Sequence, residues 1–595
     1  MSNLKLLGGD ILALYMTEEE FIEEDLFWIL GEANRQGGKL IEFERIRNFV
    51  ERLDTAELPM VNGEFNPTLT GCYTTRITVK QMVRRAENLL MEGEMLAAIA
   101  GVKQDFGALW HELFLAQFHD AACGCHTDAV YEQVYAKLRQ VIDSCEKIIT
   151  DSMTQLTGGN GITVFNPSHF HGPQMIGGPV PPEKSNAQRD GDCWYWTAEL
   201  PPHGVCGFAP GESGGEAVEI AGTKFKTDYF EVDFSDGLPV IRTCDDGCQV
   251  FGPRSFGEIL FRADYGSMWV EALESKNHGV EDQEFDAPVI ESGPVFVKVV
   301  QRGRVKAGRP EDNGNLDPYW PGFEALSFTY EYCFPQHLDY FKLKLTLNWR
   351  GANTKIAVKF PVELKSKDMT ALYEVPFGAL ERRPYFEVPY EYEDGVQKLN
   401  PGDYRTAKGD WPALNWVDYS DNSRGLAVAN TGTPGHQLVG GDILVSLLRS
   451  GTLRADGGMV PQPGSYDNGV HCYEFAFRPH RAGEQYKALE LGWLLNHPPR
   501  VSVGPGKKAV AALSFLHWNA RQVALSGWYR DGDAWVVRLY EALGATAFVN
   551  LKSDLGKFTL FETDIAGENP VKTAPEKIKF RPFEIKTFKL VHQSK

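Results

Sequence analysis

The sequence predicts a multidomain α+β protein: the tail end of a parallel sheet or barrel, then a three-helix bundle, then a large all-β antiparallel sandwich region. Three observations carry this reading. Short β and α patterns alternate at the start of the chain, a sustained helical period sets in near Thr75, and after Gly158-Gly159-Asn160-Gly161 the pattern turns β-rich and stays so. A length of 595 residues is more than one compact core usually holds. The resulting segments are 1–60 for the sheet or barrel remnant, 61–157 for the bundle, 158–222 for a small β-sandwich, 223–500 for a large β-sandwich domain and 501–595 for a C-terminal β domain.

Within the first segment, residues 10–16 (DILALYM) read as a buried strand and 18–33 as a helix. Residues 39–43 read as a second strand and 44–53 as a second helix, a βαβα alternation too short to close a sheet by itself. In the bundle, Val79, Met82, Val83, Ala86, Leu89, Leu90, Leu96 and Ala97 form one apolar stripe. Phe106, Leu109, Trp110, Leu113, Phe114 and Gln117 continue the pattern on a second helix, and Val130, Val134, Leu138, Val141, Ile142, Cys145 and Ile149 give a third. Short links such as Gly101 and Gly124 join them, as in a small bundle. Beyond residue 160, segments 162–165, 229–234, 295–305, 328–332, 341–348 and 356–361 show alternation or β-branched enrichment, separated by Gly-, Pro- and Asp-rich turns. With no further helical stripe of comparable length, residues 160–595 are expected to be packed antiparallel sheets.

Lys plus Arg total 60 against 80 Asp plus Glu, a formal charge of −20. Nucleic acid and anionic membrane both require a basic face, so neither is expected as a partner; a neutral ligand fits the charge better. No apolar run approaches the roughly 20 residues that span a bilayer. The N-terminal run is interrupted by Gly8, Gly9 and Asp10, with no small-residue cleavage pattern after it. Ten scattered cysteines fit a reducing compartment, and a cytoplasmic location is expected.

Chemistry concentrates in LAQFHDAACGCHTDAVY, which begins at Leu115. A histidine and an aspartate side by side before a glycine turn, His119 and Asp120, can offer an imidazole to a metal and a carboxylate to a substrate hydroxyl. Read from the residues alone, a satisfied polar pair is the plainer alternative. The run Cys123-Gly124-Cys125-His126 could form a compact thiolate metal site, although buried or idle thiols are its default reading. Arg382-Arg383 reads as a solvated pair, His471 and His480 as core or turn histidines, and Glu281-Asp282-Gln283-Glu284 as an exposed acidic loop.

Gln117-Phe118-His119-Asp120, Gly124 and Val130-Tyr131 together resemble the bundle signature of family 38 α-mannosidases. Asn62-Gly63-Glu64 and Thr70-Gly71-Cys72-Tyr73-Thr74-Thr75-Arg76 are similar to that family's junction between barrel and bundle. Arg85-Ala86-Glu87-Asn88-Leu89-Leu90 resembles the helix that follows, and Phe165-Asn166-Pro167 the family's first sandwich strand. Trp416-Val417-Asp418-Tyr419-Ser420-Asp421, Arg424-Gly425-Leu426-Ala427, Leu447-Leu448-Arg449-Ser450, Asp467-Asn468-Gly469-Val470-His471 and Pro479-His480 resemble its large β domain in the same order.

The resemblance implies a retaining, zinc-dependent glycosidase acting on terminal α-mannosides in oligosaccharide catabolism. It makes residues 1–60 a remnant of the catalytic α/β barrel, His119 a zinc ligand, and Asp120 a pocket carboxylate in a supporting role. The family's remaining ligands belong to a His-x-Asp motif and a nucleophilic Asp of the barrel. The first histidine here is His111, so no His-x-Asp precedes the bundle, and one ligand does not hold catalytic zinc. The chain is therefore expected to be truncated, without its nucleophile, and inactive by itself. Two alternatives stay open: a non-catalytic carbohydrate-binding or assembly module, homo-oligomeric in one version, or one chain of a split enzyme completed by a separate barrel polypeptide.

Overall fold

The structure is a computed structural model. It describes residues 25–37, 45–52, 69–157, 161–305, 322–364, 369–382, 392–393, 396–397, 410–451, 462–506 and 509–592, less positions 213, 265, 270, 272, 274–277, 280, 281 and 440. Two compact units divide the chain, Met1–Glu64 and Phe65–Lys595. In the first, two helices are described, α1 (Leu26–Gly37) and α2 (Ile46–Arg52). α1 runs past the expected end at residue 33, residues 18–24 lie outside the described residues, and the helix buries none of its residues, leaving Phe27 and Trp28 exposed. The strands expected at 10–16 and 39–43, and Asn62-Gly63-Glu64, lie outside the described residues.

The second unit opens with the bundle: α3 (Ile77–Ala100), α4 (Gly107–Gln117), the short α5 (His119–Cys123) and α6 (Asp128–Thr157). The stripes read from the sequence supply its core, with Leu90, Leu96, Leu113, Leu138 and Cys145 fully buried. α3 stops at Gly101, whose φ of 75° brings the Val102 N–H back onto the Ala97 carbonyl (2.9 Å); glycine is the residue that adopts this cap without strain.

Antiparallel sheets follow. An eleven-stranded sheet is centred on Phe296–Val305, Gly322–Pro335, Phe341–Ala352 and Gly469–Arg481 in neighbouring positions. A five-stranded sheet carries Glu258–Ala263, Thr354–Pro361 and Asp442–Ser450. Phe256, Phe341, Phe360 and Phe477 are among the aromatic side chains of their common core, with the Phe360 and Phe477 ring centroids 4.7 Å apart. Ile162–Asn166 sits in a four-stranded sheet between Arg500–Val503 and Gly204–Phe208, with Leu513–Ser514 at the far edge. A five-stranded sheet built on Val523–Asp531, Ala534–Glu541 and Ile585–His592 ends the chain.

Three expectations need correction. A helix, α7 (Tyr486–Asn496), interrupts the β region. Seven of its eleven residues are buried, Ala488 to Trp493 without a break, so its sequence carries no one-sided stripe to read. The β region also has a parallel pair, Gln188–Asp190 with Gly215–Glu216. Arg382 is not solvated: it is buried, its guanidinium stacks on Tyr373 and Trp411 at 4.4 and 4.6 Å, and it donates to the Pro412 carbonyl. Within the acidic stretch, Gln283 and Glu284 belong to the strand Gln283–Phe285, where Glu284 pairs with Arg304. His480 and His471 are core histidines as read, His480 against Asp418 at 2.5 Å and His471 against the Asp467 carbonyl at 2.5 Å.

Candidate active site at the end of the bundle

The segment carrying His119 and Asp120 is held by the residue that starts α3. Arg76 adopts a left-handed conformation (φ 46°, ψ 58°) just before Ile77, which turns its side chain under the α5–α6 loop. Its guanidinium donates to the Gly124 carbonyl (3.1 Å) and the His126 carbonyl (3.2 Å), pairs with Asp128 (2.7 Å), and lies 4.1 Å over the Tyr131 ring. Thr75 Oγ1 donates to the Cys123 carbonyl (2.6 Å) and Tyr131 Oη to that of Ala121 (2.7 Å). Gly124 closes α5 at φ 93°, and a Cβ there would sit 2.8 Å from Thr75 Oγ1, so the loop requires glycine twice over.

On this base α5 presents its first two residues outward. The His119 side chain is 80% exposed and Asp120 45%, with Nε2 and Oδ1 3.5 Å apart. Phe118, itself exposed, lies against the imidazole with ring centroids 4.3 Å apart. Neither partner is held by a buried group, so the pair is an open surface feature of the second unit.

Behind Asp120 lies a cluster of thiols. Cys123 and Cys125 share a hydrogen bond, Sγ to Sγ 3.0 Å, and both reach the Asp120 carbonyl, at 3.3 and 3.5 Å. Cys72, on the short 3₁₀ helix Thr70–Tyr73, lies near enough to Cys123 for the two thiols to influence one another. The Cys125 and Cys72 thiols hold the Cys123 thiol well below its ordinary range, and the same interactions together with burial push Cys72 and Cys125 up. Lys80 donates to the Thr75 carbonyl next to this cluster; burial lowers its ammonium to about 8 against the opposing pull of Asp467.

The junction is anchored inward by a buried polar network. Asp410, fully buried, accepts from Thr74 Oγ1 (2.8 Å), Lys355 Nζ (2.9 Å) and Ser446 Oγ (2.8 Å), and Lys355 also pairs with Glu271 (2.6 Å). Arg449 and Asp264 form a fully buried ion pair, Gly71 N donates to the Trp269 carbonyl (3.0 Å), and Ile77 N donates to Asp467 Oδ2 (3.0 Å). These contacts tie the bundle entrance to the large sheets, and none was legible from the motif residues.

A cavity of about 800 Å³ opens among α3, α4, α7 and the final sheet. Trp110, Phe114, Glu374, Phe377, Tyr529 and Arg538 line it, and Gln117 brings its rim to within two residues of His119. Aromatic faces beside a few charged groups suit a polyhydroxylated ligand.

Catalytic zinc normally takes three protein ligands. Among the described residues, the one group of three or more His, Cys, Asp and Glu side chains that converges closely enough to hold a metal is Asp120, Cys123 and Cys125, which leaves His119 out. The donors described around His119 therefore do not make up the expected zinc site.

Similarity to known proteins follows the same architecture. Residues 68–156 match the alpha mannosidase middle domain, 229–456 the glycosyl hydrolases family 38 C-terminal domain, and 524–588 the family 38 C-terminal beta sandwich domain. Alpha-mannosidase G of Dictyostelium discoideum is 23% identical over 639 residues, covering 93% of this chain and 55% of its own length. Alpha-mannosidase 2C1 of Homo sapiens is 21% identical over 570 residues, covering 88% and 50%. The chain thus spans about half the length of these curated relatives. The crystal structure of an alpha-mannosidase from Enterococcus faecalis V583 superposes with a TM-score of 0.74 at 16% identity, over 95% of this chain and 74% of that one, and so shares the fold. With three of the family's domains matched in order along a common fold, the chain belongs to glycoside hydrolase family 38, of which it carries the middle and C-terminal domains.

Proposed function

We propose that this chain is the bundle and β-sandwich part of a retaining, zinc-dependent α-mannosidase, acting on terminal α-mannosides in cytoplasmic oligosaccharide catabolism. The observation that carries the reading is the exposed His119–Asp120 pair at the end of a bundle matched by the mannosidase middle domain. In this reading His119 is one ligand of the family's zinc and Asp120 contacts sugar hydroxyls. No nucleophile is assigned to the described residues, so the chain alone is expected to bind mannosides without turning them over. Among the described residues no helix is long and apolar enough to cross a membrane.

The test is calorimetry with mannose and mannobiose, run beside hydrolysis of p-nitrophenyl α-mannoside by the purified chain. Mannoside binding weakened by Asp120→Ala, without turnover, supports the reading. Turnover lost in His119→Ala would overturn the expectation of inactivity while upholding the substrate class. Neither binding nor turnover overturns the reading as a whole.

A second reading, one chain of a split enzyme, is favoured by the first unit. Phe27, Trp28 and Ile29 of α1 are exposed, as are Ile46 and Val50 of α2, apolar side chains that a docked barrel would cover. Co-purification of a separately encoded barrel polypeptide supports that reading, and a monodisperse chain that captures none refutes it.

A further inference from the structure

The thiol cluster behind Asp120 takes no part in the proposed glycosidase chemistry. Its carboxylate and the Cys123 and Cys125 sulfurs lie within 4.8 Å of one another. Cys72, from a different element of the fold, interacts with Cys123, but its sulfur is not among the atoms that converge within 4.8 Å, so it has to swing inward to serve as a fourth donor. All three thiols are partly shielded from solvent, neither fully buried nor open. His126, the nearest imidazole in sequence, is not among the converging ligand atoms; its ring faces Tyr131 instead.

We propose that Cys72, Cys123, Cys125 and Asp120 form a thiolate-rich site for a soft divalent cation, Zn²⁺ in the first instance. Three sulfurs and one carboxylate oxygen make a four-donor tetrahedral set of the kind this ion prefers. At Zn–S distances of ~2.3 Å, two tetrahedral thiolates sit ~3.8 Å apart. The 3.0 Å between the Cys123 and Cys125 sulfurs therefore has to widen by less than ~1 Å, within the range of small side-chain rotations.

Both supporting elements are already fixed. The Cys72 turn is held by Gly71 on Trp269, and the Cys123–Cys125 turn by Thr75 and Arg76. Lys80 interacts electrostatically with Cys72 and Cys123, and its positive charge offsets part of the negative excess that three thiolates and a carboxylate leave on a divalent ion. Each thiol that binds releases its proton to solvent, and no oxidation is involved.

The site shares Asp120 with the sugar contact proposed above but makes no use of His119, and the test separates the two. The full chain, purified under reducing, metal-free conditions, is titrated with Co²⁺ and then with Zn²⁺ against a chromophoric indicator. The expected result is one equivalent bound, with thiolate-to-cobalt charge-transfer absorption in the near ultraviolet. Cys123→Ser with Cys125→Ser is expected to weaken binding by at least ~100-fold, Cys72→Ser by ~10-fold, and His119→Ala not at all. Circular dichroism of the serine variants, which are close to isosteric, checks that the fold is kept.

Absence of the charge-transfer band overturns the proposal, as does retention of metal by the double serine variant. Metal lost in His119→Ala but kept in the serine variants also overturns it, and assigns the ion to the mannosidase-type site.

Discussion

Replacing Arg76 with methionine tests whether the end of the bundle is positioned as described. The substitution keeps most of the stem and removes the guanidinium, which is 2% exposed. Four contacts are lost, of unequal value. The Gly124 residue is buried, so its carbonyl is left without its donor at a cost of about 1–3 kcal/mol. The pair with Asp128, whose side chain is 36% exposed, contributes about 0–1 kcal/mol. The stacking on Tyr131 adds about 1–2 kcal/mol. The His126 carbonyl is partly exposed and turns to water at little cost. Desolvation of the charge is relieved at the same time, so the net loss should be about 3 kcal/mol. Urea denaturation of the full chain, followed by tryptophan fluorescence, measures it as a lower midpoint at unchanged slope. Arg76→Lys should recover less than half of the loss, because an ammonium cannot serve two carbonyls and an aromatic face together. A loss below about 1 kcal/mol for Arg76→Met would refute this account of how His119 and Asp120 are presented.

Two further outcomes follow from the same contacts. Gly124→Ala combines a left-handed backbone with a Cβ 2.8 Å from Thr75 Oγ1, and should cost about 2–4 kcal/mol by thermal unfolding; a neutral result would mean the loop can be rebuilt without that turn. Burial raises Glu374 to about 7 from an ordinary 4.5, opposed by the hydrogen bond from Asn415 N at 2.6 Å. Because the folded value lies above the unfolded one, the protonated form is favoured on folding. Stability should fall as pH rises from about 4.5 through 7, by about 3 kcal/mol from this group, and Glu374→Gln should abolish that part of the slope. Denaturation midpoints at pH 5 and pH 8 in both proteins decide it.

Periodic patterns were legible wherever one face of an element is solvated. The stripes of α3 and α6 and the alternation of Phe341–Ala352 fall into this class, and their burial follows the pattern; the α4 stripe follows it only in part, with Leu113 buried and Phe114 exposed. α7 escaped because nearly its whole circumference is buried, which erases the period. Arg382 escaped for a related reason: a charged pair in sequence says nothing of the two aromatic faces that receive one member from distant strands. At the candidate site, His119, Asp120 and the Cys-x-Cys run were visible as local chemistry. The contribution of Cys72 was not, since its approach to Cys123 depends on tertiary packing. His126 looked equivalent to its cysteine neighbours in sequence but faces elsewhere.

The strand Ile162–Asn166 and the bundle share a dependence on the far end of the chain. The strand pairs with Arg500–Val503, and Glu92 of α3 is matched by Arg500, 408 positions later. Trp535 donates to the Ala98 carbonyl from later still. At ~5–20 residues per second, the ribosome takes about 20–80 s to deliver Arg500 after Glu92 has emerged. During that interval a buried carboxylate lacks its counter-ion and a core strand has one edge unpaired. The pairing of the bundle with Arg500 and Trp535 therefore waits for the last part of synthesis, and chains that stall before residue 500 lack it.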